Sequence, residues 1–279
     1  MRKLTELSLV FAVVSLVSLT TVDRSIAAGP FADKNLEAAI RKELKKDGKA
    51  PLKDADLKNV YFLRAGGGKI TSLKGLEKCT NLASADLADN AIVDLGPMSG
   101  LLHLQKLVLS NNRVSNVAPL AKLVKLQYLD LSGNRIETVD GLKGLTALTT
   151  LYLSKNRLKS IKPLAGLTKI WSLYLNDNQL TDIAPLAKLK WLSSLDLRRN
   201  AISNLSALSG MTELRYTFLE GNKIADLSVL VSMAKKDAAG VQRFAPYWRL
   251  YLSGNPLTTA AKTGQVAELK KLGVRVALK

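Results

Sequence analysis

One cysteine and one histidine are the residues from which a nucleophilic or metal-dependent mechanism would have to start. Cys79 has no partner for an internal disulfide, and two such side chains are too few for a zinc site. No Ser or Cys is placed beside His103 by the sequence pattern, so an activated nucleophile is not expected. The sequence therefore predicts no catalytic residue, no metal and no cofactor, with His103 on the surface and Cys79 buried.

A run of three glycines at 66–68, followed by Lys69, has the composition of a phosphate-binding loop. That loop needs a Gly five residues before its second Gly and a Ser or Thr after its Lys. The chain has Leu63 and Ile70 at those positions. We interpret the run as a degenerate first unit of a repeat.

Asparagine recurs with a fixed period of 22 residues along most of the 279-residue chain. Counting back from the first of these asparagines reaches Gly68, which gives nine coils. The period also accounts for most of the 53 leucines, because seven apolar positions are fixed around each Asn. The repeated asparagines are Asn90, Asn112, Asn134, Asn156, Asn178, Asn200, Asn222 and, after one period plus an insertion of 11 residues, Asn255.

The spacing of the apolar residues predicts one short strand and one short return in each coil. In the coil at Asn134, the buried positions Leu129 and Leu131 alternate with polar residues, which indicates a strand with one buried face. After Asn134 the apolar spacing widens to three, which suits a 3₁₀-like return. A buried Asn must be hydrogen-bonded, so its amide is expected to satisfy backbone groups of the turn.

The pattern LxxLxLxxNxIxxIxxLxxL over residues 60–257 resembles the 22-residue leucine-rich repeats of bacterial internalins and of phosphatase-regulating proteins. The resemblance implies an α/β repeat fold, a solenoid with a curved parallel sheet on its concave face and short helical or 3₁₀ returns. It also implies extracellular protein recognition. Ala85 and Thr217 depart from the pattern at Leu positions, so looser packing is expected in their coils.

The ends of the chain differ from the repeats. Residues 1–28 have the features of a signal peptide: two basic residues, an apolar stretch over 7–19 and small residues before position 29. Cleavage would leave a net charge of +17 and no membrane span, and an uncleaved anchor is the alternative. Helical caps are predicted at 29–59 and 258–279, with the insertion bulging out near 234–246. These features predict a secreted or periplasmic protein of a bacterial envelope.

Aromatic residues concentrate at exposed strand positions, where a leucine core does not need them. Tyr128, Tyr152 and Tyr174 are expected to adjoin one another, because neighbouring strands lie about 4.8 Å apart. Protein interfaces favour such anchors, and the alternative is that cross-strand aromatic pairs only stabilise the sheet. The predicted partner-binding residues are Tyr128, Tyr152, Trp171, Tyr174, Arg198, Arg199, Tyr216, Phe218, Trp248, Arg249 and Tyr251.

Basic residues form a second column directly after the asparagines. Arg113, Arg135 and Arg157 are its central members and constitute a candidate anion site. The alternative is a solvated edge in which Glu137 relieves the charge of Arg135.

Together these features predict an exported module that binds a protein partner, with a bias toward acidic partners, through a concave aromatic face. One alternative is an electrostatic binder of an anionic polymer or cell-surface glycan, since the net charge is +18. No nucleic-acid-binding motif is present, so nucleic acid is not the expected partner. The other alternative is an intracellular regulator of the phosphatase type, because the same repeat class serves that role.

Overall fold

Each 22-residue period forms one coil that consists of a three-residue strand, a turn at the asparagine and a short return. The computed structural model describes residues 29–48 and 50–278, so the predicted signal peptide lies outside the described residues. We number the coils 1 to 9 by their repeated position, from Gly68 in coil 1 through Asn134 in coil 4 to Asn255 in coil 9. Among the described residues, no helix is long and apolar enough to cross a membrane.

Ten strands form one open sheet in chain order, and every neighbouring pair is parallel. This confirms the predicted leucine-rich repeat solenoid. The strands are β1 (Phe62–Arg64), β2 (Ser84–Asp86), β3 (Lys106–Val108), β4 (Tyr128–Asp130), β5 (Thr150–Tyr152), β6 (Ser172–Tyr174), β7 (Ser194–Asp196), β8 (Tyr216–Phe218), β9 (Arg249–Tyr251) and β10 (Arg275–Ala277).

The returns from coil 1 to coil 7 are 3₁₀ turns of three to five residues, as the apolar spacing of three predicts. Four of them have proline as their second residue, and its fixed φ suits the first turn of a helix. Their leucines join those of the strands in one continuous core, in which most side chains are fully buried. The 3₁₀ turns within the coils are Leu76–Lys78, Gly96–Met98, Ala118–Lys122, Asp140–Leu142, Lys162–Gly166, Ala184–Lys188 and Ser206–Leu208.

The repeated asparagines connect successive coils through their side-chain amides. Asn134 Nδ2 donates to Leu109 O of the preceding coil at 2.9 Å and to Leu131 O of its own coil at 3.0 Å. Asn134 Oδ1 accepts from Val114 N at 2.9 Å. The same set of bonds recurs along the solenoid, so each buried amide satisfies backbone groups that the sheet leaves unpaired.

The residue before each asparagine adopts a left-handed backbone conformation, with φ between 50° and 70°. Glycine takes this position without strain in several coils; at Gly133, a Cβ would come within 2.3 Å of Asn111 Oδ1. Other coils place Asp or Asn there, and two place a long basic side chain, Lys155 and Arg199. The turn geometry is therefore set by the stack of asparagines rather than by the local residue.

Helices cover both ends of the solenoid, as predicted. At the N-terminal end α1 (Lys34–Glu43) buries Leu36 and Ile40, and α2 (Asp54–Leu57) leads into coil 1. At the C-terminal end α4 (Val266–Lys271) follows a π-helical turn at Ala261–Gln265. Strand β10 then extends the sheet beyond the nine coils that the asparagine count gives, because its coil carries no asparagine to reveal it.

The 11-residue insertion is largely helical. It lengthens the return of coil 8 into α3 (Ser228–Ala238) and continues through a 3₁₀ turn at Ala245–Tyr247. The buried carboxylate of Asp237 accepts from the backbone N–H groups of residues 243–245 at 2.8–3.1 Å. The connection is therefore fixed to the helix, although Val241 at its tip is 82% exposed.

Candidate binding face

Three tyrosines form a continuous group on the concave face, which we call the central aromatic cluster: Tyr128, Tyr152 and Tyr174. The register pairs Tyr152 with Tyr174 directly, and their parallel rings stack with centroids 4.3 Å apart. Tyr128 precedes them by one strand, and its ring lies 5.6 Å from that of Tyr152. Burial and then the neighbouring phenols raise the pKa of Tyr152, so its hydroxyl is uncharged at neutral pH.

A second group of rings lies further along the sheet, and we call it the C-terminal aromatic cluster: Tyr216, Phe218 and Tyr251. Phe218 and Tyr251 are register partners with ring centroids 4.7 Å apart. Tyr216 stands 6.5 Å from Phe218 on the same strand. The guanidinium of Arg249 lies over the Tyr216 ring at 5.5 Å, which extends this cluster with a cation.

An ion pair separates the two aromatic clusters on strand β7 and the residues that follow it. Asp196 is almost fully buried and accepts from Arg198 Nε and Nη2 at 2.5–3.0 Å. The hydrogen bond with Asp196 raises the pKa of Arg198, and the Arg198 guanidinium lies 5.0 Å above the Phe218 ring. One oxygen of the neighbouring Glu220, Oε2, is buried without a hydrogen-bond partner among the described residues.

Arg199 lies at the turn rather than on the floor of the face. Its guanidinium forms a bidentate pair with Asp177 of the preceding coil, and the Nη2–Oδ2 distance is 2.7 Å. This hydrogen bond is the main reason that the pKa of Asp177 is lowered and that of Arg199 is raised. Arg199 therefore lies at the row of asparagine turns, where it joins coil 7 to coil 6.

Trp248 does not belong to the exposed surface, and its prediction as a partner-binding residue is corrected by the structure. Its side chain is fully buried, and the indole Nε1 donates to Thr217 Oγ1 at 2.8 Å. The same bond satisfies the buried hydroxyl of Thr217, which stands at a Leu position of the repeat. Trp171, at the equivalent repeat position of coil 6, is 60% exposed, at the margin of the sheet.

The basic column follows the asparagine turns on the side of the solenoid where the strands end, which we call the carboxyl edge. Arg113, Arg135 and Arg157 are all exposed there. Glu137 forms its ion pair with Arg157, at 3.7 Å, and not with Arg135 as expected. Within the described part of the chain, Arg113 and Arg135 have no acidic partner.

The residues with nucleophilic or metal-binding chemistry are dispersed. Cys79 is fully buried, and burial followed by the charge of Glu77 raises its thiol pKa to about 12. His103 is exposed. Among residues 29–48 and 50–278, no group of three His, Cys, Asp or Glu side chains is arranged to hold a metal ion.

Three exposed aromatic residues are not predicted by the sequence pattern: Tyr61 (48%), Trp191 (57%) and Tyr247 (60%). They precede the strands and lie at the opposite margin of the sheet, which we call the amino edge. Trp191 and Tyr247 occupy positions that hold small, charged or core residues in other coils, so a comparison of repeat positions gives no signal for them.

Comparison with known proteins agrees with this architecture. The family described as "Leucine Rich repeats (2 copies)" matches residues 102–144, 124–166, 146–188 and 172–210. A search of curated protein sequences found no match.

Among solved structures, internalin C2 from Listeria monocytogenes is 29% identical with a TM-score of 0.68, covering 89% of this chain and 94% of its own. Internalin InlF from the same organism is 26% identical with a TM-score of 0.69, covering 92% of this chain and 81% of its own. The ectodomain of the Arabidopsis thaliana receptor kinase GASSHO1/SCHENGEN3, solved in complex with CASPARIAN STRIP INTEGRITY FACTOR 2, shares the fold alone at 20% identity, with a TM-score of 0.63 over 81% of this chain and 28% of its own. The repeat match and the ten-stranded parallel sheet together show a leucine-rich repeat solenoid, and the chain is similar to the bacterial internalins.

Proposed function

We propose that this protein is an exported binding module that recognises a protein partner on its concave face. The observation that carries the proposal is the pair of aromatic clusters, six rings displayed on one surface of a protein whose core is built from leucine. Tyrosine combines a large apolar area with a polar end and few rotatable bonds, which is why binding surfaces use it as an anchor.

The core does not require these rings. The strand residues beneath the central aromatic cluster, Leu129, Leu151 and Leu173, are fully buried and fill the interior by themselves. The tyrosines lie half-buried above them, on the solvent side of the sheet. Stacking across strands contributes to sheet stability, but it leaves the outer surface of each ring available for a partner.

The groups between and beside the clusters supply polar specificity. The Asp196–Arg198 pair is internally satisfied, whereas the buried Glu220 Oε2 is an acceptor without a donor among the described residues. Arg249 offers the opposite charge next to Tyr216, which suits an acidic group on the partner.

The dimensions of the face suit a protein ligand. Nine coils at a spacing of about 4.8 Å give a surface roughly 40 Å long. An interface of standard size buries about 800 Å² on each partner, which such a surface accommodates. The likeness to internalins supports protein recognition as the role, and the signal-like residues 1–28 support export.

The concave face is tested by site-specific photo-crosslinking in cells. A photoreactive amino acid at Ser172 or Ser194, between the rings, is expected to give one defined adduct, and the same probe at Thr146 on the amino edge is not. Adding Tyr152→Ala and Tyr174→Ala should abolish the adduct, whereas the control Tyr247→Ala, an equally large exposed ring, should leave it. An adduct that survives the double substitution would place recognition elsewhere.

Export is tested separately by sequencing the N-terminus of the mature protein. Cleavage near residue 28 supports the envelope location, and an intact Met1 on a cytoplasmic protein contradicts it.

A second candidate, binding of an anionic polymer, is favoured by the exposed guanidinium groups of Arg113 and Arg135, which have no acidic partner among the described residues. Replacement of Arg113, Arg135 and Arg157 by Gln should then lower the affinity for heparin. It should also reduce the slope of log K against log salt by about 1 for each anionic group of the polymer that an arginine no longer neutralises. If the slope is unchanged, the basic column is a solvated edge.

A further inference from the structure

Exposed apolar side chains are concentrated on the amino edge, outside the proposed binding face. Trp171 and Trp191 are 60% and 57% exposed, and Tyr247 is 60% exposed. Leu102 and Val124, earlier on the same edge, are each about half exposed. Large apolar residues that are this exposed and lie on one side of a molecule mark an interaction surface.

The solenoid places these residues in one row. Trp171 and Trp191 precede consecutive strands, and Ser193 N donates to Trp171 O at 2.9 Å across the two coils. The row begins at Leu102 before β3 and ends at Tyr247 before β9, a distance of about 30 Å at the spacing of parallel strands. The stack of coils therefore presents the row along one edge of the sheet.

The charges beside this ridge are basic. Lys125, Lys169 and Lys190 are exposed on the same segments as the apolar residues. Arg215 lies over the Tyr247 ring at 4.7 Å from its centroid. The acid of these segments, Glu213, forms an ion pair with Arg243 at 2.9 Å, so it does not offset the lysines.

We infer that the amino edge docks on the surface of a bilayer that contains anionic phospholipids. Trp and Tyr prefer the headgroup level, where the ring is apolar and the N–H or O–H remains hydrated. Lysines extend their stems along the apolar surface and place their ammonium groups at lipid phosphates. Leu102 and Val124 favour a lipid surface over a soluble anionic polymer, because aliphatic side chains offer such a polymer neither charge nor stacking. Edge-on docking leaves the concave face open to its partner, so this inference is independent of the proposed function.

The experiment uses the full chain with vesicles of phosphatidylcholine alone or with roughly 30 mol% phosphatidylglycerol, an anionic content at which surface electrostatics recruits basic segments. The chain has three tryptophans and Trp248 is buried, so the fluorescence change reports Trp171 and Trp191. We expect a blue shift and quenching by lipids brominated on the acyl chain, with the anionic vesicles only. Protein that sediments with the vesicles without any quenching would overturn the inference, because residues 1–28 carry no tryptophan and could bind by themselves.

Charge variants separate local docking from general attraction. Replacing Lys125, Lys169 and Lys190 by Gln should weaken the quenching-detected binding by about a hundredfold, since each lysine near an anionic surface contributes about fivefold. The matched control replaces Lys143, Lys159 and Lys162, which line a groove beyond the asparagine turns, and should change it less than about threefold. Equal losses in both variants would contradict a specific edge.

Two further variants show whether a lipid bilayer or a soluble polyanion binds the amino edge. Trp171→Ala together with Trp191→Ala should lower vesicle sedimentation by about tenfold or more, in proportion to the apolar area removed. Tyr152→Ala with Tyr174→Ala should leave the binding to vesicles unchanged. If heparin or a single-stranded oligonucleotide binds with the same dependence on Trp171 and Trp191, and vesicles do not, the edge is a site for a soluble polyanion and the inference fails.

Discussion

Trp171 and Trp248 occupy the same position of the repeat, seven residues before the asparagine, and yet one is 60% exposed and the other is fully buried. In coil 6, Ile170 fills the core and Trp171 points outward. In coil 9 the roles are reversed, since Tyr247 is exposed and Trp248 enters the core. The repeat position predicts the direction of a side chain only where the preceding return has its regular length.

The insertion before coil 9 is the physical cause of this reversal. Its 3₁₀ turn at Ala245–Tyr247 leads directly into β9, and the following residue, Trp248, is extended. Asp237 fixes this turn by accepting three backbone hydrogen bonds. The chain therefore approaches the strand in a different phase, and the indole finds its acceptor in Thr217, the polar residue of the leucine column in coil 8.

The largest expected effect is that of Trp248→Ala. Removing a fully buried indole should lower the free energy of unfolding by about 3–5 kcal/mol. The matched change Trp171→Ala should alter it by less than about 0.5 kcal/mol, because the ring is on the surface. Urea unfolding followed by circular dichroism measures both, and similar losses in the two variants would refute the difference in burial.

Substitution of the asparagines tests the same difference between the regular coils and coil 9. Asn156 is buried and makes four hydrogen bonds, so Asn156→Ala should cost about 3 kcal/mol by leaving backbone groups unpaired. Asn255 makes three and is less deeply buried, so Asn255→Ala should cost about half as much. The midpoints and slopes of urea unfolding give the loss of unfolding free energy in each variant. A larger loss for Asn255→Ala than for Asn156→Ala would mean that the coil after the insertion depends on its asparagine more than the central coils do.

Loss of the hydrogen bond between Trp248 and Thr217 should lower the free energy of unfolding by a smaller amount. Thr217→Val keeps the shape and leaves Trp248 Nε1 without an acceptor, at a cost of about 1–2 kcal/mol. Thr217→Ser should retain the bond. In a double-mutant cycle with Trp248→Phe, the second substitution should remove most of the penalty of the first, and strictly additive losses would show that the bond contributes nothing.

The smallest expected effect concerns the N-terminal cap. The pKa of Asp33 is lowered: burial acts to raise it, but hydrogen bonds from Thr71, Leu36 and Ser72 outweigh burial. A lowered pKa in the folded state means that the stabilisation is present above the unfolded value of about 3.9 and is lost as the pH falls through the folded value. Thermal unfolding between about pH 6 and 2.5 should therefore show a steeper acid loss in the wild type than in Asp33→Asn. Parallel profiles would exclude a role for this carboxylate in joining the cap to coil 1.

The 22-residue period is enough to specify the solenoid, because its repetition over nine coils allows only one stacking of the leucines and asparagines. It also specifies that Tyr152 and Tyr174 meet on the concave face, since a parallel register without bulges brings equal repeat positions together. Tyr128 lies one strand earlier and two residues back in the repeat, so its ring meets that of Tyr152 diagonally.

The residues next to irregular segments depend instead on the folded arrangement of the whole chain. The phase change that buries Trp248, the Asp237 contacts that fix the insertion and the tenth strand without an asparagine all rest on contacts between segments that do not repeat. Arg135 and Arg157 occupy the same repeat position in consecutive coils, so the sequence pattern does not distinguish them as partners of Glu137. Side-chain geometry decides the pairing, and Glu137 contacts Arg157. A periodic pattern predicts which residues stack at equal positions of successive coils. These features occur where the repeat is interrupted, or where two residues at one repeat position are both possible partners of a third.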